Sequence, residues 1–174
     1  MKGEDIVDDT CWVVKYHSPW CMPFAPVFSA NKMVCIVRNP MDTMISWLEL
    51  LSTACHSAKA PFEYDKDYPE YWDWWVRDCS ALYGQWFDVI MRDANLRKVP
   101  VLWIRYEDLV EDPKPHLMNL MRYMINLKDL TGTNAERRVQ EVLDKGKEAT
   151  QVYSLKDNTL RFNTKGKMYS PAQR

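Results

Sequence analysis

The fold of this chain is decided by the segment MVCIVRNPMDTMIS, Met33–Ser46. Its first five residues are apolar or β-branched, which is typical of a buried parallel strand. Asn39 and Pro40 then form a helix start, because an asparagine side chain caps free backbone N–H groups and proline suits the first helical position. Asp42 falls in the first helical turn, where the positive end of the helix dipole favours a carboxylate. The segment therefore predicts a strand that passes directly into a helix.

Arg38 lies between the predicted strand and the predicted helix. In an open α/β sheet this is the edge that faces ligands. Ser46 follows about two helical turns later, so its hydroxyl can point back toward the same edge. An arginine fork beside a hydroxyl suits a phosphate monoester, whereas the structural alternative is an ion pair between Arg38 and Asp42 with Ser46 on the helix surface.

Composition limits the classes of protein to which the chain can belong. Its 174 residues predict one domain, residues 1–174, with a core from about 11 to 146 and an irregular basic tail from about 150. The net charge of −1 argues against a nucleic-acid partner, so any anion site must be local. Five cysteines without a C-x-x-C pair favour a reducing, cytoplasmic location and argue against a zinc site. No apolar stretch is long enough to predict a membrane span or a signal peptide.

Strand and helix patterns alternate along the chain, which indicates an α/β fold with a parallel sheet and right-handed crossovers. The predicted strands are Trp12–Lys15, Met33–Val37 and Val99–Arg105. The predicted helices run from Pro40 to about Ala54, from Pro69 to about Ala94, from Asp112-Pro113 onward, and from a capping box at Thr133–Glu136 to Gly146, with residues 55–68 as a loop. In the long second helix, Trp and Tyr residues recur at helical spacing, which favours core packing over a ligand platform.

Four segments, in this order, resemble motifs of the sulfotransferases that depend on 3′-phosphoadenosine 5′-phosphosulfate. They are VKYHSP at Val14–Pro19, RNPMDTMIS at Arg38–Ser46, YGQWF at Tyr83–Phe87, and VLWIRYEDL at Val101–Leu109. The resemblance covers residues 11 to 127. It implies a three-layer parallel sheet flanked by helices and related to the P-loop NTPases, and transfer of a sulfuryl group from that cofactor to a hydroxyl or amine of a small-molecule acceptor.

The same resemblance implies roles for individual residues. His17 is expected to be the base that takes the acceptor proton, and Lys15 to stabilise charge on the transferred group; the alternative is a capped loop histidine beside a structural lysine. Arg38 and Ser46 are expected to hold the 3′-phosphate. Tyr106, expected to close the third strand, stacks on adenine in this interpretation, and a core tyrosine is the equal alternative.

A weaker match lies near the end of the chain. Arg161, Lys165 and Gly166 loosely resemble the R-K-G loop that folds over the 3′-phosphate in the family, although here only Lys165 and Gly166 are consecutive. A solvated tail is the alternative interpretation of this stretch.

One family motif has no counterpart in these 174 residues. Sulfotransferases carry a Y-P-K-S-G-T-T-W loop that wraps the 5′-phosphosulfate, and the five glycines of this chain form no such cluster. The expectation is a fragment of a sulfotransferase or a relative inactive as written, truncated at its N-terminus, that self-associates or needs a partner to cover the sheet. A non-catalytic interaction protein with the same fold and a nucleotide kinase-like protein are the alternatives.

Overall fold

The computed structural model describes Val13 and residues 30–55, 58–148 and 168–173. These residues form a parallel pair of strands with helices that follow and flank them. The strands are β1 (Met33–Val37) and β2 (Val101–Arg105). The helices are α1 (Pro40–Thr53), α2 (Tyr64–Asp67), α3 (Pro69–Arg97), α4 (Tyr106–Glu111), α5 (Pro113–Ile125) and α6 (Asn134–Glu148).

The two strands pair in parallel, with Met33 opposite Val101 and Val37 opposite Arg105. This confirms an α/β fold with a parallel sheet. The residues after β1 and β2 therefore meet at one edge of the sheet, which is the geometry that brings distant motifs together. The segment predicted as the first strand lies outside the described residues except for Val13.

Helix α1 begins as its sequence predicts. The Asn39 side-chain oxygen accepts a hydrogen bond from the backbone N–H of Met41 at 2.9 Å, and Pro40 is the first helical residue. The helix ends where Ala54 adopts a left-handed conformation, with φ of 50°. The cap and the proline fix the start of α1 immediately after Arg38.

The main core forms between α1 and α3. Ile45 and Leu48 are each only 1% exposed and pack with Trp72 and Trp75, so truncation of either aliphatic side chain to alanine should cost about 2–5 kcal/mol. The indole N–H of Trp75 donates to the backbone carbonyl of Met44 at 3.1 Å, which ties the two helices together. Core packing is thus the main role of the described part of the Trp/Tyr pattern.

Four features of the secondary structure differ from the sequence predictions. The loop predicted at 55–68 contains the short helix α2. Strand β2 begins at Val101, because Pro100 has no N–H to donate to a ladder. Tyr106 does not close the strand but is the first residue of α4, and α6 extends past Gly146 to Glu148. Within the described part of the chain, no helix is long and apolar enough to cross a membrane.

Candidate phosphate-binding site

Arg38 and Ser46 lie together at the carboxyl end of β1. The Nη1 atom of Arg38 donates to the Ser46 hydroxyl at 3.3 Å across two turns of α1. The Nε–H of Arg38 is buried and has no hydrogen-bond partner among the residues that the structure describes. Because a buried donor without an acceptor is costly, this guanidinium is suited to an added anion.

Tyr106 is the second neighbour of the arginine. The Arg38 guanidinium carbon lies 5.0 Å from the centroid of the Tyr106 ring, within the range of a cation–π contact. Tyr106 is 36% exposed, so the alternative of a core tyrosine is wrong. An exposed ring beside a cation at the sheet edge is compatible with stacking of a flat aromatic group.

The backbone around Arg38 is held by residues from two other helices. The Tyr83 hydroxyl of α3 donates to the Arg38 carbonyl at 2.6 Å, and the Asn39 N–H donates to Oε1 of Glu107 in α4 at 2.7 Å. Burial, and then the charge of Glu107, raise the pKa of Tyr83 above its ordinary value. Sequence reasoning assigned neither residue to the site, because they lie 45 and 68 positions from their partners; the motif resemblance was the only available signal.

The two adjacent carboxylates of α4 have separate structural contacts. Glu107 is only 6% exposed and binds the Asn39 N–H, whereas Asp108 pairs with Arg105 at 3.2 Å. Both residues occupy the first turn of α4. These contacts give each of the two carboxylates a structural role.

Asp42 is buried in the first turn of α1 and is 3% exposed. Its negative charge contributes, after the larger effect of burial, to a raised pKa of Tyr169. The Tyr169 hydroxyl donates to the Met41 carbonyl at 2.7 Å, so this tyrosine also fastens the start of α1. The first turn of α1, which follows Arg38, is thus held in place by Tyr169.

The remaining predicted site residues lie outside the described part of the chain. They are Lys15, His17, Arg161, Lys165 and Gly166. Among described residues, no group of three or more His, Cys, Asp or Glu side chains is arranged to hold a metal ion.

Comparison with known proteins identifies one domain family. The model of the sulfotransferase domain matches residues 11–169. Sulfotransferase 1B1 of Canis lupus familiaris is 28% identical over 152 residues, which cover 85% of this chain and 45% of the dog protein. Sulfotransferase 1C2 of Homo sapiens is 26% identical over 142 residues, or 78% of this chain and 41% of the human protein.

A third relative, sulfotransferase 1A1 of Mus musculus, is 24% identical over 117 residues, which cover 64% of this chain and 37% of the mouse protein. The chain therefore spans less than half the length of each of these relatives. No solved structure matches it significantly.

Proposed function

Because this chain belongs to the sulfotransferase family, we propose that it forms the 3′-phosphoadenosine side of the cofactor site in a sulfotransferase. The cofactor would be 3′-phosphoadenosine 5′-phosphosulfate, which supplies the activated sulfuryl group. The acceptor would be a hydroxyl or amine of a small molecule. The observation that carries the proposal is the pairing of Arg38 with Ser46, at 3.3 Å, directly after a parallel strand.

The described residues fit a phosphate monoester. The guanidinium of Arg38 has several N–H donors, of which Nη1 already points to the Ser46 hydroxyl and Nε has no described partner. A 3′-phosphate held between Arg38 and Ser46 would accept charge-assisted hydrogen bonds from both. The exposed ring of Tyr106 would then stack on the adenine base that carries the phosphate.

The catalytic roles rest on the family resemblance alone. We assign His17 as the base that accepts the proton of the acceptor group, because a neutral imidazole titrates near physiological pH. Lys15 would stabilise the charge that develops during transfer. Arg161, Lys165 and Gly166 would close over the 3′-phosphate as a basic loop.

The finer features of the fold are also part of the proposal. We assign residues 1–174 to one domain of a three-layer, P-loop NTPase-related fold. Ile36 in the middle of β1 is 54% exposed, which supports the expectation that a further part of the protein, a partner or a second copy covers this sheet. Among described residues, Cys35 and Cys79 are free thiols, in keeping with a reducing, cytoplasmic compartment.

The binding proposal is tested with two nucleotides that differ only in the 3′-phosphate. Adenosine 3′,5′-bisphosphate should bind at least about tenfold more tightly than adenosine 5′-monophosphate, since charge-assisted hydrogen bonds contribute about 1.5–3 kcal/mol. Arg38→Ala should abolish this preference. Titration calorimetry of both nucleotides against both proteins measures it directly.

Arg105→Ala provides the matched control. Arg105 ends β2 at the same sheet edge, but its exposed side chain pairs with Asp108. This variant should keep the preference for the bisphosphate. Equal affinities of the parent protein for the two nucleotides, or an undiminished preference in Arg38→Ala, would contradict the proposed site.

A further inference from the structure

The peptide group between Arg38 and Asn39 is fixed on both sides by side chains from distant helices. Its carbonyl accepts from the Tyr83 hydroxyl at 2.6 Å, and its N–H donates to the Glu107 carboxylate at 2.7 Å. The two bonds therefore hold a single peptide plane, from α3 on one side and from α4 on the other. A peptide unit is rigid, so two bonds at opposite edges fix its orientation.

Regular secondary structure does not satisfy these two groups. Asn39 is the N-cap of α1, and its carbonyl accepts the first helical bond, from the Thr43 N–H at 3.0 Å. The N–H of Asn39 and the carbonyl of Arg38 precede that ladder and need partners from elsewhere. Tyr83 and Glu107 supply those partners.

We infer that Tyr83 and Glu107 are positioning residues that aim the Arg38 guanidinium at the 3′-phosphate; this inference rests on the proposed function. Rotation of the peptide plane changes ψ of Arg38 and thereby the direction of its side chain relative to Ser46. Recognition by a planar fork tolerates displacements of only about 0.5 Å or 10–20°. Loosening the peptide plane therefore weakens phosphate recognition without removing any group that touches the nucleotide.

The surroundings of Glu107 and Tyr83 also favour the two hydrogen bonds that hold the peptide plane. Glu107 is buried, so its carboxylate depends on the Asn39 N–H for compensation. The Tyr83 phenol is protonated at neutral pH and so is a donor, and burial and the nearby Glu107 charge raise its pKa further. The peptide plane is therefore held by a phenol donor on one side and by a buried acceptor on the other.

The test compares two Tyr→Phe variants that each remove a phenol hydroxyl bonded to the backbone, to one carbonyl for Tyr83 and to two for Tyr123. Tyr83→Phe should lower the ratio of affinities for adenosine 3′,5′-bisphosphate and adenosine 5′-monophosphate by about 3- to 10-fold, the range for one lost hydrogen bond. Its affinity for the monophosphate should change less than about twofold, on the same scale. The Tyr123 phenol bonds the carbonyls of Met33 and Pro100 at the opposite end of β1, so Tyr123→Phe should leave the ratio intact.

Two further comparisons separate positioning from general stability. Glu107→Gln keeps an oxygen acceptor for the Asn39 N–H and should retain most of the ratio, whereas Glu107→Ala should lose it. In an Arg38→Ala background, Tyr83→Phe should have no further effect, because the group that it aims is gone. Thermal melts of each variant check that it is folded, and Tyr83→Phe carries the test if Glu107→Ala does not fold.

The outcomes distinguish this inference from the proposed function. If Arg38→Ala loses the preference for the bisphosphate and Tyr83→Phe keeps it, the positioning role is wrong and the phosphate site stands. If the parent protein shows no preference, the proposed function fails and the positioning role falls with it. The inference is also contradicted if Tyr83→Phe lowers the ratio of the two nucleotide affinities in the Arg38→Ala background as much as it does in the parent protein.

Discussion

The two ends of strand β1 are built from the same kinds of contact. At the amino end, the Lys32 ammonium lies 5.2 Å from the centroid of the Tyr123 ring, and the Tyr123 hydroxyl donates to the Met33 carbonyl at 3.1 Å. At the carboxyl end, the Arg38 guanidinium lies 5.0 Å from a tyrosine ring, and another tyrosine donates to the Arg38 carbonyl at 2.6 Å. Each end therefore combines a cation over a ring with a phenol bonded to the backbone.

The ends differ in how many donors of the cation are used. The Lys32 ammonium donates to the carbonyls of Tyr123 and Met124 and, at 2.6 Å, to Oδ1 of Asn126, so its three protons have three acceptors. These acceptors lie at the end of α5, where the helix dipole favours a cation. Arg38 uses one hydrogen bond to Ser46, and its Nε has no described partner. A saturated cation is structural, whereas a cation with spare donors is a candidate for ligand binding.

Removal of Lys32, whose donors are all used, should lower the stability of the fold more than removal of Arg38, which has spare donors. Lys32→Ala should lower the free energy of unfolding by about 2–3 kcal/mol, because it exposes the end of α5 and deletes three charge-assisted bonds. Arg38→Ala should cost less than about 1 kcal/mol, since one long hydrogen bond and an exposed ring contact are lost. Urea unfolding of both variants measures the difference. Comparable losses in the two variants would remove the distinction between the ends.

The matched tyrosines predict a smaller effect, on alkaline stability. Burial is the largest cause of a raised pKa in both Tyr83 and Tyr123. A raised pKa in the folded protein gives stability that is present below the ordinary value near 10 and is lost as pH rises through the folded pKa. Tyr83→Phe and Tyr123→Phe should therefore each flatten the decline of stability above pH 10.

Two buried thiols also titrate in the alkaline range, so they contribute to the decline of stability that the tyrosine variants share with the parent protein. Burial raises the pKa of Cys35 and, with a further contribution from Asp78, of Cys79 to about 11. Both cysteines are present in the parent protein and in each tyrosine variant. The difference in slope therefore isolates the phenol of Tyr83, whereas Tyr123→Phe also removes the electrostatic interaction between Tyr123 and Cys35. A decline that is as steep in a variant as in the parent would contradict the pKa assignment for that tyrosine.

Local signals in the sequence predicted the framework of the site. The apolar run Met33–Val37 and the Asn39-Pro40 start fixed β1 and α1, because a strand pattern, a cap and an N-terminal proline each act within a few residues. The pairing of Arg38 with Ser46 followed from helical spacing. These features depend on neighbours in the chain, which is why the sequence sufficed for them.

Features that depend on distant contacts were missed. Nothing local marks Tyr83 as the partner of the Arg38 carbonyl, or Glu107 as the partner of the Asn39 N–H.

Two element boundaries also differ from the sequence predictions. The sequence predicts Tyr106 at the end of β2, because the apolar run up to Arg105 hides where the strand ends and α4 begins. The short helix α2 was missed because four residues are too few for a periodic pattern.

The central claim is that the spare donors of Arg38 recognise a 3′-phosphate, and NMR observation of its side chain tests this most directly. Adding adenosine 3′,5′-bisphosphate to the ¹⁵N-labelled chain should shift the Arg38 Nε–H resonance and the backbone amides from Asn39 to Ser46, with little change at Lys32. Adenosine 5′-monophosphate should shift the Arg38 resonance far less. Equal shifts with the two nucleotides, or shifts centred on the Lys32 end of β1, would contradict the account.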